Sequence, residues 1–265
     1  TPRPPAQQRA LAVLLTSDEE GPAADGTAKV VEWLRARDQV PQWCVIGEPT
    51  SSTSVGDVMR PGRRGSLTGE LTIFGRQGHV AYPELAENPI HAAAPFLQAL
   101  TAQDWDAGEP PFPPTGAQVV ALHAGGDADN MIPGSLRCVV NWRYAPASSA
   151  LGLQQRVEGL LAQHGLHYDV RWRHQAAPFL TQEGMLLAAV RDAVAATTGT
   201  PPRASTGGGT SDGRFLAAAG AQVVELGLRN ATAHQIDEHA PVADLARLHE
   251  IYVAVLSRLL PAGAA

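Results

Sequence analysis

Apolar residues along this chain follow two rhythms, and the switches between them outline the elements. Ala10-Leu11-Ala12-Val13-Leu14-Leu15 is unbroken, the pattern of a strand buried on both faces of a parallel sheet. Val30, Val31 and Leu34 give a helix over 26–37 its apolar face, with Asp25 as N-cap. Trp43-Cys44-Val45-Ile46 reads as a second short buried strand, ending at Gly47-Glu48-Pro49. From about Gly65 the period changes to two: Leu67, Gly69, Leu71 and Ile73 alternate with Thr68, Glu70 and Thr72. Asn88 and Pro89 open a helix. Residues 117–122 form a strand, and Leu136, Cys138, Val140 and Trp142 mark the next. Ser149 caps a helix over 150–163 that stops at Gly165, and Tyr168, Val170 and Trp172 alternate in one more strand. The last third returns to a helix over 183–197 ending at Gly199, a glycine-rich turn into another helix, and a strand over 221–226. A long amphipathic helix from Val242 to Leu260 follows, carrying Leu245, Leu248, Tyr252, Val255 and Leu259.

The middle order, β-α-β-β-α-β, predicts a ferredoxin-like domain over 65–177. It is inserted between two α/β pieces, 1–64 and 178–265, that share a mostly parallel sheet with helices on both faces. A strand like 10–15 belongs in the middle of such a sheet, so the chain is expected to start inside a domain. The Pro-rich stretch 110–114 reads as a loop.

Composition narrows the function classes. With 44% hydrophobic and 17% charged residues the chain is globular. A net charge of -6 gives no electrostatic case for nucleic acid. No apolar run is long enough to span a bilayer, and Thr1-Pro2-Arg3-Pro4-Pro5 lacks the layout of a secretory signal. Cys44 and Cys138 lack partners at metal-ligand spacing and read as buried free thiols, which fits a reducing bacterial cytoplasm.

Charged residues then collect at predicted strand ends, where open α/β sheets bind ligands. Glu19 and Glu20 are adjacent, so their side chains point in different directions. One can ligate a metal while the other faces a metal-bound water as general base. Glu48 ends the next strand, and His234 follows the last, with His239 a competitor that spacing does not separate from it. His79, in Gly75-Arg76-Gln77-Gly78-His79-Val80-Ala81-Tyr82-Pro83, could stabilise the oxyanion of an attacked amide. Arg63 and Arg143 could hold substrate carboxylates, and the glycine run at 207–209 offers backbone donors. Each residue alone fits a solvated loop or a surface salt bridge; their shared placement carries the reading.

Ser17-Asp18-Glu19-Glu20-Gly21-Pro22, Gly47-Glu48-Pro49-Thr50, the His79 segment, Asn141-Trp142-Arg143-Tyr144, Gly209-Thr210-Ser211-Asp212-Gly213-Arg214-Phe215 and Asn230-Ala231-Thr232-Ala233-His234 together carry a resemblance. The chain resembles the succinyl-diaminopimelate desuccinylases, peptidase family M20 of the zinc aminoacylase/carboxypeptidase superfamily. The resemblance implies Glu19 as general base, Glu20 and His234 as ligands of one zinc, and Glu48 as ligand of a second. Cobalt is a possible substitute metal. It also implies a homodimer through the inserted domain, with His79 reaching the partner's active site. Tyr82, Asn130, Arg63, Arg143, Gly209, Thr210 and Ser211 would contact the substrate. The implied reaction converts N-succinyl-LL-2,6-diaminopimelate to succinate and LL-2,6-diaminopimelate, a step of lysine and cell-wall precursor synthesis. The family's upstream His-x-Asp motif and bridging Asp have no counterpart before Asp18, so the chain is expected to be incomplete and inactive alone. Asp129 stands where relatives commonly carry an asparagine. Acetylornithine deacetylase is the alternative enzyme, and a dimerising remnant the alternative without chemistry.

Overall fold

The computed structural model describes residues 10–21, 23–126 and 128–260. The proline-rich N-terminal segment Thr1–Pro5 and Pro22 of the glutamate motif lie outside them. The chain divides into two compact units. One comprises residues up to Arg63, Leu180–Ser205 and the chain from Ser211; the other comprises Arg64–Phe179 and Thr206–Thr210.

In the first unit, α1 (Thr27–Arg35) precedes β1 (Trp43–Ile46). Gly26 rather than Asp25 is its N-cap, with no side-chain cap, and the Asp25 carboxylate pairs with Lys29. The predicted strand at 10–15 is absent: Leu11, Val13, Leu14 and Leu15 form no ladder and are exposed, Leu15 to 87%. A strand buried on both faces needs neighbours for its backbone donors and acceptors. Among the described residues β1 has a strand neighbour on one side only, and its residues are all half-buried.

The second segment of this unit, which follows the inserted unit in sequence, begins with α4 (Met185–Thr198), stopped by Gly199 in the left-handed region at φ 82°. After it come α5 (Gly213–Ala218), β6 (Gln222–Glu225) and α6 (Val242–Leu259). β6 pairs in parallel with β1, Trp43 opposite Gln222 and Ile46 opposite Glu225. The far edge of β6 is occupied too: Arg60 and Glu225 exchange backbone hydrogen bonds of 2.9 Å, and the Thr181 hydroxyl satisfies both polar groups of Val223. Helices α4 and α6 pack Leu186, Val190, Val194, Ile251 and Val255 against Val224 and Leu226. Leu245, expected on the buried face of α6, is 53% exposed, since the helix packs through its C-terminal half.

The inserted unit is the expected β-α-β-β-α-β: β2 (Gly65–Phe74), α2 (Pro89–Ala102), β3 (Gly116–Ala124), β4 (Ser135–Tyr144), α3 (Ala150–Gln163) and β5 (Tyr168–Ala176). Its antiparallel sheet runs β3-β4-β2-β5. Asn88 and Ser149 cap the two helices, accepting from the amides of Ile90 and Gly152 at 3.0 Å each. Alternation puts Leu67, Leu71, Ile73, Cys138, Val140 and Trp142 on one face under Phe96, Leu153 and Leu161 of the helices. The other face carries the polar set. Among the described residues no helix is long and apolar enough to cross a membrane.

Candidate active site

The first unit builds its site where the β1–β6 pair opens. After Ile46 and Glu225 the ladder is interrupted, then resumes as Ser51 bridges Arg229. Between these points the two chains touch closely: a Cβ on Gly227 would stand 2.2 Å from the Glu48 carbonyl oxygen. Ser51 Oγ donates to Gly227 O at 2.7 Å, and the Gly227 amide donates to Thr50 Oγ1 at 3.1 Å. These bonds fix Glu48 at the mouth of the strand pair and start the segment that leads to His234.

That segment folds back on itself. Thr232 Oγ1 donates to His239 O at 2.9 Å and accepts from the His239 amide at 3.1 Å, closing the loop. His234 sits in the left-handed region at φ 60°, uncommon outside glycine though histidine tolerates it better than most. Its Nε2 lies 3.6 Å from Glu20 Oε1. The ring of His239 turns instead to its own loop, with Nδ1 2.8 Å from Asp237 O. Spacing left the two histidines equivalent; among the described residues, His234 is the one of the two whose ring makes an ion-pair contact with a glutamate, Glu20.

Glu19, Glu20 and Glu48 influence one another electrostatically. The Glu48 carboxyl is pushed up to about 7, first by burial and then by the charges of Glu225 and Glu19, with Arg63 opposing. Burial also raises Glu19, aided by Glu20, Asp212 and Glu225 and opposed by Arg214. A carboxylate raised towards neutrality suits a general base.

Glu20 and His234, a carboxylate and an imidazole 3.6 Å apart, are donors of the kind that hold a divalent cation, and Glu48 is a second carboxyl whose ionisation the charges of Glu225, Glu19 and Glu20 oppose. Among the described residues, no three His, Cys, Asp or Glu side chains are grouped to hold a metal ion. Glu20 and His234 are the pair brought together.

The shift at Glu48 has a signed consequence for metal-free protein. Above about pH 4.5 the unfolded chain loses this proton, whereas the folded chain keeps it to about 7. Its contribution to stability is therefore complete below that window and disappears as pH rises through it. Discounted for partial exposure, the change is about 1 kcal/mol. Denaturant titrations at pH 5 and pH 8 with chelator present should show it, and Glu48→Gln should flatten it. Greater stability at pH 8 than at pH 5 for this group would contradict the assignment.

Two residues the sequence reading passed over complete this unit's site. Glu225, fully buried at the end of β6, accepts from Arg63 Nε at 2.7 Å and also contacts Arg63 Nη2 and Ser211 Oγ. Arg63, expected to hold a substrate carboxylate, is itself buried and gives two guanidinium nitrogens to this one. Asp212, also buried, stands 3.9 Å from Arg214 Nη2 and adds its charge at Glu19. The signal for Glu225 was available, because a charge in the apolar run Val223-Val224-Glu225-Leu226 must have a partner.

The inserted unit gathers a second set. Gly78 and His79 pair with Ile132 and Met131, and the Val80 amide donates to Asn130 O at 3.0 Å. His79 accepts from the Ala81 amide through Nδ1 at 3.1 Å, and its ring lies 5.9 Å from that of Tyr82. His79, Tyr82 and Asn130 thus occupy one exposed corner. Arg143 lies on β4 opposite Ser66 and Gly116. Gly209 and Thr210 group with this unit, whereas Ser211 belongs to the other.

Residues 61–169 match the peptidase dimerisation domain of M20 proteins. The chain is 57% identical to succinyl-diaminopimelate desuccinylase of Halorhodospira halophila and 55% identical to that of Methylococcus capsulatus. Each alignment covers 97% of this chain and 68% of the relative. The fold is similar to aminopeptidase PepT of Bacillus cereus, with a TM-score of 0.70 at 20% identity over 88% of this chain and 61% of that one. An M20 family metallo-carboxypeptidase from Sulfolobus solfataricus gives 0.68 at 14% identity, over 87% of this chain and 67% of that one. With more than half of its residues shared over nearly its whole length, the chain belongs to the succinyl-diaminopimelate desuccinylase family.

Proposed function

We propose that the chain serves in hydrolysis of N-succinyl-LL-2,6-diaminopimelate to succinate and LL-2,6-diaminopimelate, within lysine and diaminopimelate synthesis. The observation that carries this reading is the meeting of Glu20 and His234 beside Glu19 and Glu48, in a chain 57% identical to a desuccinylase. Glu20 and His234 would hold one zinc ion and Glu48 a second, with cobalt able to replace them. Bound there, the metal supplies Lewis-acid polarisation and charge neutralisation. Glu19 takes the proton of the attacking water and returns it to the departing amine, and its raised pKa suits both steps. His79 donates to the developing oxyanion of the scissile amide. Tyr82, Asn130, Arg143 and the 209–211 loop orient the substrate's carboxylates. Arg63 belongs to this set through Ser211 and Glu225.

The inserted unit would pair with a second copy through β3, an edge strand with Val120 60% exposed and Leu122 49% exposed. In that dimer His79 serves the partner's site. Buried Cys138 and half-buried Cys44, both thiols held up at about 11, are unreactive and fit a reducing cytoplasm.

The test is a comparison of succinylated and acetylated substrates with the protein carrying this chain. Preference for acetylornithine would replace the desuccinylase reading by the deacetylase one. Metal analysis tests the ligand assignment: Glu20→Ala, Glu48→Ala and His234→Ala should each lower the zinc bound by the protein carrying this chain, and unchanged metal content in all three would overturn it.

A further inference from the structure

We infer that Glu225 is a positioning residue that joins Arg63 and the Ser211–Gly213 turn into one substrate-holding element. The inference rests on the desuccinylase reading for its substrate, but its geometry stands alone. Glu225 is fully buried and ends β6 beside the mouth where Glu48 sits. It receives Arg63 Nε at 2.7 Å together with Nη2, a two-pronged contact that fixes the guanidinium plane. Its other oxygen takes the Ser211 hydroxyl. Ser211 Oγ in turn accepts from the Gly213 amide at 3.2 Å, at the first residue of α5. The carboxylate's own backbone is pinned by its two-way bridge to Arg60.

Two chain segments distant in sequence, at 60–63 and 211–213, therefore converge on one carboxylate. The strand pairing of β6 is made by its backbone, and α5 is a single short helix. What the carboxylate adds is a fixed distance between a cation and a loop. It touches no reacting atom in this reading, so its loss should weaken substrate holding far more than the chemical step.

Glu225→Gln and Ser211→Ala separate the arms. In Glu225→Gln, KM for N-succinyl-LL-2,6-diaminopimelate should rise about 30-fold, with kcat within about threefold on the pH plateau, above the titration of Glu19 that the lost charge shifts. Glu225→Asp, which keeps the charge, should recover part of that loss. Hydrogen exchange at the amides of 211–215 should quicken about tenfold in both Glu225→Gln and Ser211→Ala, with α4 and α6 unchanged. An unaltered KM, or a fall in kcat at fixed KM, overturns the inference, as does faster exchange spread through α4 and α6, which would make Glu225 a general support of the fold. If Glu225→Gln does not fold, Glu225→Asp carries the KM measurement and Ser211→Ala the exchange measurement. A wild-type protein that leaves the substrate uncleaved defeats the desuccinylase reading, and the exchange result still decides for or against the coupling.

Discussion

Glu19→Gln should lower kcat by about 10³-fold or more while leaving metal content unchanged. The amide keeps the shape of the side chain and removes its ability to take and return a proton. Glu20 and His234, 3.6 Å apart, do not involve Glu19 in their contact, so metal analysis of the variant should match the wild type. Burial and the surrounding charges of Glu20, Asp212 and Glu225 all push the Glu19 carboxyl upward. The acid limb of the wild-type kcat/KM profile should therefore lie above the ordinary glutamate range. Turnover within tenfold of wild type in Glu19→Gln would take Glu19 out of its role, and the base would have to be sought among its neighbours.

Gly227→Ala should be the most damaging single methyl group in the first unit. The added carbon would stand 2.2 Å from Glu48 O, 2.9 Å from Glu48 C and 2.9 Å from Gly47 O. All three are backbone atoms, so no side-chain rotation relieves the clash. The strand ends must part, breaking the bonds of Ser51 and Thr50 to Gly227. A loss of about 3 kcal/mol is expected, readable in denaturant unfolding. Activity should fall with it, because Glu48 rides on the displaced backbone. A variant as stable and active as wild type would show that the mouth of the strand pair is looser than described.

The inserted unit was almost fully legible in the sequence, because its signals are local. Alternation in β2, β4 and β5 and the caps at Asn88 and Ser149 each declare themselves within a few residues. The strand expected at 10–15 failed for the opposite reason. A uniformly apolar run states only that burial is wanted, and a strand forms when neighbours accept it; none is present among the described residues. Asp25 falls one residue outside α1, whose cap is Gly26, the kind of boundary shift that propensity does not register. At the site, the glutamates and His234 were visible as charges at strand ends. Glu225 was read as part of a strand; its buried charge announced a need for a partner, but that the partner is Arg63, 162 residues away in sequence, leaves no local trace.

The ladder of the inserted unit also bears on how the chain folds. Ser66, near its beginning, is paired with Ala176, near its end, so the unit returns the chain almost to the point where it left. Before the insert forms, bringing the flanking segments together closes a loop spanning Arg64–Phe179, at an entropic cost of about 4 kcal/mol. Once β2 and β5 are zipped, the closure between Arg63 and Leu180 is already made, and the loop that the β1–β6 pair must close is shortened by the length of the insert. The β1–β6 pair, which needs both flanks, is therefore expected to form after the insert, and mutations that slow the insert should delay its formation in refolding kinetics as well.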